Sequence, residues 1–389
     1  MTHALPLSPI DLVFTGRGAY PLEFVFAYGG RVDADRLAGS LRRTLELFPH
    51  VGSRLVRLGG TFALQPSPDG CTFEAAASAV DFDDVADRHA LVDPVETVEG
   101  QPLARVRLTD TPGGSVLGVA LSHAVVDGFS YFYFLSAWSR VFHGRDVAPP
   151  ALDRTRLGPG LVAAPPGVPG PRPVREGCGL FLDERRPAIP RDRLRWTRRA
   201  FPRAELGDLL RAAQAQCPVR LSHNDVVAAW LWRRHVPGWA DPREQTAWLS
   251  CPVDARRLLP GFPPTYFGCA VALANVSIER ERLAEAPLAD LARRVRDAVA
   301  AVDADRVLQS LGAIEGLRLQ EGLEALERLH VVHPRAGLLV TNLSRLPVRE
   351  VEFDAGPPVA YDILAPVERC AVVLPAEDGL DVRICLPVG

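Results

Sequence analysis

Apolar and polar positions along the first 143 residues switch between the spacing of strands and the spacing of helices. Two pairs of apolar runs are separated by glycine-containing turns, as in β-hairpins. Another run repeats its apolar positions at helical spacing, and Asp33 precedes it as an N-cap. The predicted elements are a strand at 22–28, a helix at 33–48, hairpins at 51–64 and 103–122, and a helix at 129–142.

The chain from residue 194 onward shows the same mixture of patterns. We expect a strand at 194–201, helices at 202–216, 224–235, 287–302 and 307–329, and a strand-rich end at 337–386. The chain is therefore expected to be an α/β protein built from two similar halves of mixed strands and helices.

Between the halves, proline and glycine replace the periodic pattern. Ten prolines lie between Pro149 and Pro190, too many for regular secondary structure. Residues 158–163 (GPGLVA) match a nominal dinucleotide fingerprint, but no strand precedes them and proline interrupts them, so we reject that site. The predicted division is an N-terminal domain at 1–143, a crossover linker at 144–193 and a C-terminal domain at 194–389.

Composition and charge exclude several classes of partner. The chain is 47% hydrophobic with a net charge of −3, so it has no basic excess for binding nucleic acid. No apolar run reaches the roughly 18 residues that cross a bilayer, and the first residues do not resemble a secretory signal. We expect a cytoplasmic protein with no nucleic-acid or membrane partner. Nothing in the pattern demands an oligomer, so we expect a monomer.

Cysteine and lysine usage narrows the chemistry further. The seven cysteines are scattered and form no Cys-x-x-Cys pair, so we expect reduced thiols rather than a zinc site or disulfides. All 44 basic residues are arginine, which excludes a lysine Schiff base and a lysine-dependent phosphate loop. Any phosphate group must therefore be bound by arginine or by backbone amides. The abundance of arginine, alanine, proline and glycine indicates a GC-rich genome.

One polar segment follows the most apolar strand of the N-terminal half. Residues 121–128 read LSHAVVDG, which places His123 at the end of that strand and Asp127-Gly128 in the turn before a helix. A neutral imidazole held in such a place can act as a general base near neutral pH. Asp127 is expected either to orient the ring or to hold the loop from behind, and Gly128 to supply a backbone angle that other residues avoid. The other interpretation is a buried histidine with no catalytic role.

This His-x-x-x-Asp-Gly pattern, with the segments around it, resembles the BAHD acyltransferases and the wider superfamily of CoA-dependent acyltransferases and condensation domains. The matching segments occur in the family's order along nearly the whole chain. They are LSPID at 7–11, DRLAGSL at 35–41, FPHVGSRL at 48–55, LSHNDVVAAWLWR at 221–233, PVDAR at 252–256, YFG at 266–268, TNLSRLP at 341–347 and FDAGPP at 353–358.

The resemblance implies two chloramphenicol-acetyltransferase-like mixed-sheet domains joined by a long crossover, with a tunnel at their interface. It implies that a hydroxyl or amine of a small acceptor attacks an acyl thioester directly, without an acyl-enzyme. His123 would remove the acceptor's proton, and Thr341 would donate to the oxyanion, with Ser344 as the alternative. The donor would be an acyl-CoA or an acyl group on a carrier protein, used as a co-substrate. No bound cofactor is implied.

The resemblance gives other positions supporting roles. Arg256 matches the arginine that pairs with Asp127, and Gly128 completes the motif. Asp354 lies in the counterpart of the family's Asp-Phe-Gly-Trp-Gly motif, which is structural. Ser344 and Arg345 would line the substrate pocket.

Departures from the family pattern leave alternatives open. The tryptophan and one glycine of the structural motif are absent, Leu343 replaces a tryptophan, and the chain is shorter than typical plant members. These differences indicate a microbial, here bacterial, branch in specialised metabolism. One alternative keeps the fold but performs a condensation or cyclisation of a pathway intermediate, and another is a binding protein without turnover. A metal site is the weakest reading, since His123 and Asp127 have no third ligand at suitable spacing.

Overall fold

Two large β-sheets organise the chain. The computed structural model describes residues 4–158, 179–187, 190–364 and 367–387. The strands within these residues are β1 (Leu5–Pro6), β2 (Pro21–Tyr28), β3 (Ser53–Leu58), β4 (Thr61–Pro66), β5 (Cys71–Ala77), β6 (Ala104–Thr111), β7 (Gly114–Ser122), β8 (Phe181–Leu182), β9 (Leu194–Phe201), β10 (Thr246–Asp254), β11 (Val271–Glu279), β12 (Leu329–His330), β13 (Gly337–Asn342), β14 (Ala360–Ile363), β15 (Cys370–Pro375) and β16 (Leu380–Pro387). The helices are α1 (Pro9–Leu12), α2 (Ala34–Leu47), α3 (Gly128–Phe142), α4 (Arg203–Gln214), α5 (His223–His235), α6 (Arg280–Leu283), α7 (Leu288–Ala300) and α8 (Ala304–Glu321).

The first large sheet has five strands in the order β14-β2-β7-β6-β5. Every residue of β7 is buried, because the sheet is covered on both faces. On one face, Tyr131 and Phe132 of α3 pack against Phe24 of β2. On the other face, Val25 and Val116 belong to a separate apolar cluster with residues 82–95. The strand that leads to His123 therefore lies in the middle of a rigid sheet.

One edge strand of this sheet, β14, comes from the far end of the chain. β14 pairs antiparallel with β2, with Ala360 opposite Ala27 and Ile363 opposite Phe24. Residues that the sequence assigns to the second half thus complete the sheet of the first half. A four-residue apolar run carries no signal of its partner strand, so the predicted boundary at residue 193 could not include this exchange.

The second large sheet has six strands in the order β11-β10-β13-β15-β16-β9. β13 pairs in parallel with both β10 and β15, whereas the other strand pairs are antiparallel. Helices α4, α5 and α7 pack on one another, and α5 and α7 contact β13 and β11. Two mixed sheets with helical layers form the two-domain α/β fold that the sequence predicts.

The described parts of the predicted linker are packed against the domains. Ala151 donates to the carbonyl oxygen of Thr265 (3.0 Å) and accepts from the amide of Phe267 (2.9 Å). Residues 154–157 form a 3-10 turn, and β8 pairs with β12. No proline lies between residues 151 and 158, so this backbone can still form regular hydrogen bonds. After Gly158, the rejected dinucleotide pattern lies outside the described residues.

Helix ends follow their capping residues. The Asp33 side chain accepts from the amide of Arg36 (2.9 Å) and begins α2 as predicted. The helix predicted at 307–329 is too long, because α8 ends at Glu321 and residues 323–328 form a 3-10 turn. Gly322 ends the helix with a φ of 91°, a conformation that favours glycine.

Gly118 of β7 provides a test of the sheet packing. A Cβ at this position would lie 2.0 Å from the carbonyl oxygen of Leu91 and 3.0 Å from the Cα of Val92. Because both atoms belong to the backbone, we expect Gly118→Ala to lower the free energy of unfolding by about 1–3 kcal/mol in denaturant titrations. The control Gly238→Ala has nothing within 4 Å of the added carbon and should change it by less than about 0.5 kcal/mol. Equal losses in the two variants would contradict the packing described.

Candidate active site

The turn that carries His123 is fixed by hydrogen bonds to the end of β7. The carbonyl oxygen of Ser122 accepts from the amide of Val125 (2.9 Å). The Ser122 hydroxyl accepts from the amide of Ala124 (3.2 Å) and shares a hydrogen bond with the hydroxyl of Thr97 (2.8 Å). The backbone on both sides of His123 is therefore tied to a buried strand.

The imidazole of His123 is half-buried among aromatic rings. It stacks on Phe14, with ring centroids 3.9 Å apart and planes 6° from parallel, and meets Tyr20 edge-on at 5.6 Å. Its Nδ1 is buried and has no hydrogen-bond partner of ordinary geometry in the described part of the chain. Burial lowers the pKa of His123, while the backbone of the turn and the carboxylates of Asp127 and Asp11 oppose that effect. The imidazole is therefore neutral at pH 7 and can accept a proton.

Asp127 ends the turn and begins α3. Its carboxylate accepts from the amides of Ser130 (2.8 Å) and Ala270 (3.0 Å). Arg256 donates to both carboxylate oxygens, over 2.7 Å from Nη1 and 3.1 Å from Nη2. Only 4% of the Asp127 side chain and 3% of the Arg256 side chain are exposed. These hydrogen bonds hold the loop from behind, and none of them goes to the imidazole of His123.

The Arg256 guanidinium is the centre of a wider network. Burial alone would raise the pKa of Asp127, but the Arg256 guanidinium and the backbone amides of Ser130 and Ala270 together outweigh burial and lower it. Arg256 also donates to the carbonyl oxygens of Tyr266 (3.1 Å) and Gly268 (2.9 Å), and to the hydroxyl of Ser130 (2.9 Å). The pair therefore connects the His123 turn to a segment of the second half.

Gly128 makes a close packing contact and does not have an unusual backbone angle. Its φ is outside the left-handed region, so the reason that the sequence suggested is wrong. A Cβ at Gly128 would lie 3.0 Å from the Cδ2 of Leu343 and 3.4 Å from the Cδ1 of Leu346. The segment after β13 thus packs on the start of α3, which brings residues 341–347 beside the His123 turn.

A second buried ion pair contacts the first part of the same turn. The Nη1 of Arg154 lies 2.7 Å from the Oδ2 of Asp11, and both side chains are fully buried. Arg154 also donates to the carbonyl oxygens of Ala124 (3.2 Å) and Val125 (2.7 Å), the two residues after His123. The sequence did not single out either partner as a site residue.

An open cavity of about 710 Å³ adjoins His123 through Tyr20. Loop residues 16–20 and 95–98 of the first half and residues 330–332 of the second half line it. We call it the Tyr20 cavity. Charged side chains of both signs surround it, namely Arg17, Arg186, Arg369, Glu96, Glu327 and Glu368.

Arg186 connects this cavity to the ring that supports His123. It donates to the carbonyl oxygens of Val13 (2.6 Å) and Thr15 (3.0 Å), the two neighbours of Phe14. Burial lowers the pKa of Arg186 to about 10, so the group remains charged at neutral pH. A fixed cation thus lies in the cavity wall and holds the segment on which the imidazole stacks.

Ser344 and Arg345 line a second depression, of about 910 Å³, which we call the arginine groove. Its wall also contains the first turn of α5 and residues Arg203, Arg220, Ser222, Asn224, Arg296 and Asn342. The Ser344 hydroxyl donates to the Oδ1 of Asn342 (2.6 Å), whose amide nitrogen donates to Asn224 (2.7 Å). Ser344 is therefore engaged locally, and the structure places it with Arg345 in the groove, whereas Tyr20 of the other cavity contacts His123.

Thr341 lies in β13 opposite Val372 and is half-buried. Its hydroxyl makes no hydrogen bond with the described residues, unlike that of Ser344. Thr341 therefore has a free hydroxyl just before the segment that packs on Gly128.

Asp354 stabilises helix α2. It accepts from the amide of Asp33 (3.2 Å) and from the guanidinium of Arg36. The neighbouring ring of Phe353 packs edge-on against Trp138 and Phe142 of α3. The altered motif thus joins α2 to α3 on the side of the chain where α3 ends, away from His123.

Three residues near His123 were not predicted from the sequence, and the sequence clues to them differ in strength. Asp11 stands in the LSPID segment and forms a capping box with Ser8, so an acidic residue among apolar neighbours was the clue. Arg154 lies close after Pro149-Pro150, where no periodicity indicates burial. Tyr20 contacts His123 only because two loops meet in space.

The described residues contain neither a metal-binding cluster nor a helix that could span a membrane. No cluster of three or more His, Cys, Asp or Glu side chains in them could hold a metal ion. None of their helices combines the length and apolar character needed to cross a membrane.

The fold is that of a solved CoA complex. The structure of TRI101 from F. graminearum complexed with ethyl coenzyme A aligns with a TM-score of 0.78 and covers 100% of this chain and 95% of that chain. At 15% identity, this likeness establishes the shared fold.

Sequence comparison establishes the family. The chain belongs to the Transferase family, the BAHD acyltransferases, whose model matches residues 1–389. It is similar to hydroxycinnamoyl-CoA:5-hydroxyanthranilate N-hydroxycinnamoyltransferase HHT1 of Avena sativa, with 31% identity over 94% of this chain and 88% of that protein. Hydroxycinnamoyltransferase 2 of Oryza sativa subsp. japonica is 29% identical over 90% and 83% of the two chains. The protein is therefore an acyltransferase.

The ion pair of Asp127 predicts a large effect on stability. Asp127→Asn removes a buried charge that Arg256 needs, so we expect the free energy of unfolding to fall by about 3–5 kcal/mol. The control Asp254→Asn removes a carboxylate that also contacts Arg256 (3.0 Å) but is 39% exposed, and should cost less than about 1 kcal/mol. Denaturant unfolding of both variants measures the difference. A small loss for Asp127→Asn would show that the buried pair is not needed for the fold.

Proposed function

We propose that this enzyme transfers an acyl group from an acyl-CoA to the hydroxyl or amine of a small acceptor, with His123 as the general base. The observation that carries the proposal is an imidazole held by a rigid turn and joined through Tyr20 to an open cavity. The family supports acyl transfer, and the name of the Avena sativa relative specifies a CoA thioester donor and transfer to nitrogen. These names favour acyl transfer over a condensation or cyclisation.

The proposed reaction is a direct transfer. Since Nδ1 of His123 is buried, we assign Nε2 to the acceptor. Nε2 takes the proton of the acceptor's O–H or N–H while the acceptor atom bonds to the thioester carbonyl carbon. The tetrahedral intermediate then collapses, the C–S bond breaks, and the departing thiolate takes the proton from the imidazolium. Histidine returns to its neutral form without an acyl-enzyme.

We assign the phosphate groups of the donor to the arginine groove. Arg220 and Arg345 line the groove, and neither makes an ion pair with another described residue. The first turn of α5 also faces the groove, and helix N-termini favour anions. A lysine-free chain must bind phosphate through arginine and amides, which is what this wall offers.

We assign the acceptor to the Tyr20 cavity. Tyr20 lines this cavity and meets the His123 ring edge-on at 5.6 Å, and this contact supports placing the acceptor there. The segment that packs on Gly128 carries Ser344 and Arg345 of the arginine groove. Donor and acceptor would thus approach His123 from different sides, in the manner of the predicted tunnel. Holding both substrates in one site would supply much of the rate enhancement.

Thr341 is our proposed donor to the oxyanion. Its hydroxyl has no hydrogen-bond partner among the residues that the structure describes, whereas that of Ser344 is bound to Asn342. A preorganised donor stabilises the negative charge that develops on the carbonyl oxygen.

We further propose that the protein works as a monomer in the cytoplasm of a bacterium, in the biosynthesis of a specialised metabolite. The arginine-only composition supports a GC-rich microbial genome. A carrier protein remains the alternative donor, and it would present the same thioester to His123.

The base assignment predicts a selective loss of turnover. With a panel of acyl-CoAs and small alcohols and amines, the wild type should release free thiol, and His123→Ala should lower kcat/KM by about 10²- to 10⁴-fold. The matched variant His143→Ala lies at the other end of α3 and should retain full activity. Circular dichroism of each variant checks the fold. Unchanged turnover in a folded His123→Ala protein would contradict the mechanism. If the wild type is active only with carrier-bound donors, the carrier protein and not CoA is the donor.

The burial of His123 predicts the acid limb of the pH profile. The base must be neutral, so kcat/KM rises as pH increases through the pKa of His123 and is constant above it. Because burial lowers this pKa below its ordinary value of 6.5, the half-maximal point of kcat/KM should lie below pH 6.5. A limb centred above pH 6.5 would show that another group controls the reaction.

A further inference from the structure

We propose that Asp11 and Arg154 form a positioning pair for the catalytic base, fixing the backbone of the turn that carries His123 and the charge beside its ring. The inference rests on the proposed role of His123. Neither residue touches the substrate regions described above, so both would act through His123.

Hydrogen bonds from the Arg154 guanidinium fix the conformation of the turn. Its planar guanidinium donates from Nη1 to the carbonyl oxygen of Ala124 and from Nη2 to that of Val125. Two consecutive peptide planes are thereby oriented by one rigid group. The amide of Ala124 is bound from the other direction by the Ser122 hydroxyl (3.2 Å). Because the first of these planes lies one residue after His123, a shift of Arg154 would move the imidazole.

Asp11 holds Arg154 in place and connects it to the other ion pair. Its Oδ2 accepts from the Ser8 amide (2.9 Å) and hydroxyl (2.6 Å), and lies 2.7 Å from Arg154. Its Oδ1 accepts from the amide of Cys269 (3.2 Å). The next amide, that of Ala270, donates to Asp127. Two consecutive amides of the second half therefore bind the two carboxylates that flank the turn.

The pair also controls the charge near the base. The carboxylates that act on His123 are Asp11 from α1 and Asp127 from the start of α3. Each is paired with an arginine, Arg154 from the crossover and Arg256 from the second half, so each pair is neutral overall. Tyr20 and Cys269 also lie close to these groups. Because burial raises the pKa of each side chain, both are uncharged at neutral pH.

A positioning pair and a purely structural pair predict different results. If the pair only stabilised the fold, its variants would unfold more easily but would retain kcat and the titration of His123. If it positions the base, loss of one charge must shift the pKa of His123, and the two single losses must shift it in opposite directions. Loss of the guanidinium geometry must also lower kcat without changing substrate binding.

The test compares three variants by steady-state kinetics and by NMR titration of ¹³C-labelled histidine, with His123→Ala used to assign the signal. Arg154→Met leaves Asp11 unpaired, so the pKa of His123 should rise, by about half a unit or more. Asp11→Asn leaves Arg154 unpaired, so that pKa should fall. Arg154→Lys keeps the charge but lacks the planar fork, so kcat should fall with little change in the pKa.

For Arg154→Met and Arg154→Lys we expect kcat to fall about 10- to 100-fold, with each KM within about twofold of the wild type. The matched control is Arg383→Met, which breaks a partly buried network, with Asp362 and Asp381 (2.6 Å to each), far along the chain from the turn. It should lower stability and leave kcat and the His123 signal unchanged.

Specific outcomes would overturn the inference. One is a pKa of His123 that is the same in Arg154→Met, Asp11→Asn and Arg383→Met; another is a kcat for Arg154→Lys equal to that of the wild type. If Arg154→Met does not fold, Arg154→Lys and the neutral double variant Asp11→Asn/Arg154→Met test the inference instead. We expect both variants to fold and to have a lower kcat than the wild type. The NMR titration needs no turnover, so absence of thiol release in the wild type would count against the proposed function and not against the positioning pair.

Discussion

Burying a charge without a partner is costly, and the interior of this protein contains two arginine–carboxylate pairs on one short turn. The turn connects a fully buried strand to an aromatic helix and presents His123 between them. Neither pair can separate without leaving an unpaired charge in the core. Movement of the turn would therefore break one or both networks, and the position of the imidazole follows from that constraint.

The same pairs explain why the site depends on both halves of the chain. Asp11 and Asp127 belong to the first half, whereas their amide donors, Cys269 and Ala270, belong to the second. Arg154 comes from the crossover, and β14 returns from the second half to complete the first sheet. The halves are thus joined by hydrogen bonds and by an exchanged strand. The His123 turn therefore lies where the two halves of the chain meet, which is a common location for small-molecule sites.

Local sequence patterns predicted the helices, hairpins and turns that depend on neighbouring residues. Periodicity and caps placed α2, both hairpins and α3, and the family resemblance identified Arg256 as the partner of Asp127. The predictions that failed concern contacts between residues that are far apart in the sequence. Gly128 packs closely against Leu343 and does not have a left-handed φ, and a short strand such as β14 does not encode its partner. Arg154 is fully buried in a segment that the sequence assigns to a proline-rich linker. Such burial arises only from the assembled fold.

The central claim is that His123 lies where a CoA thioester and an acceptor meet. The most direct measurement is a crystal structure of the protein with bound CoA. We predict the phosphate groups against Arg220 and Arg345 in the arginine groove, with the thiol beside the His123 imidazole. CoA bound with its thiol remote from His123, or with its phosphates in the Tyr20 cavity, would contradict the account.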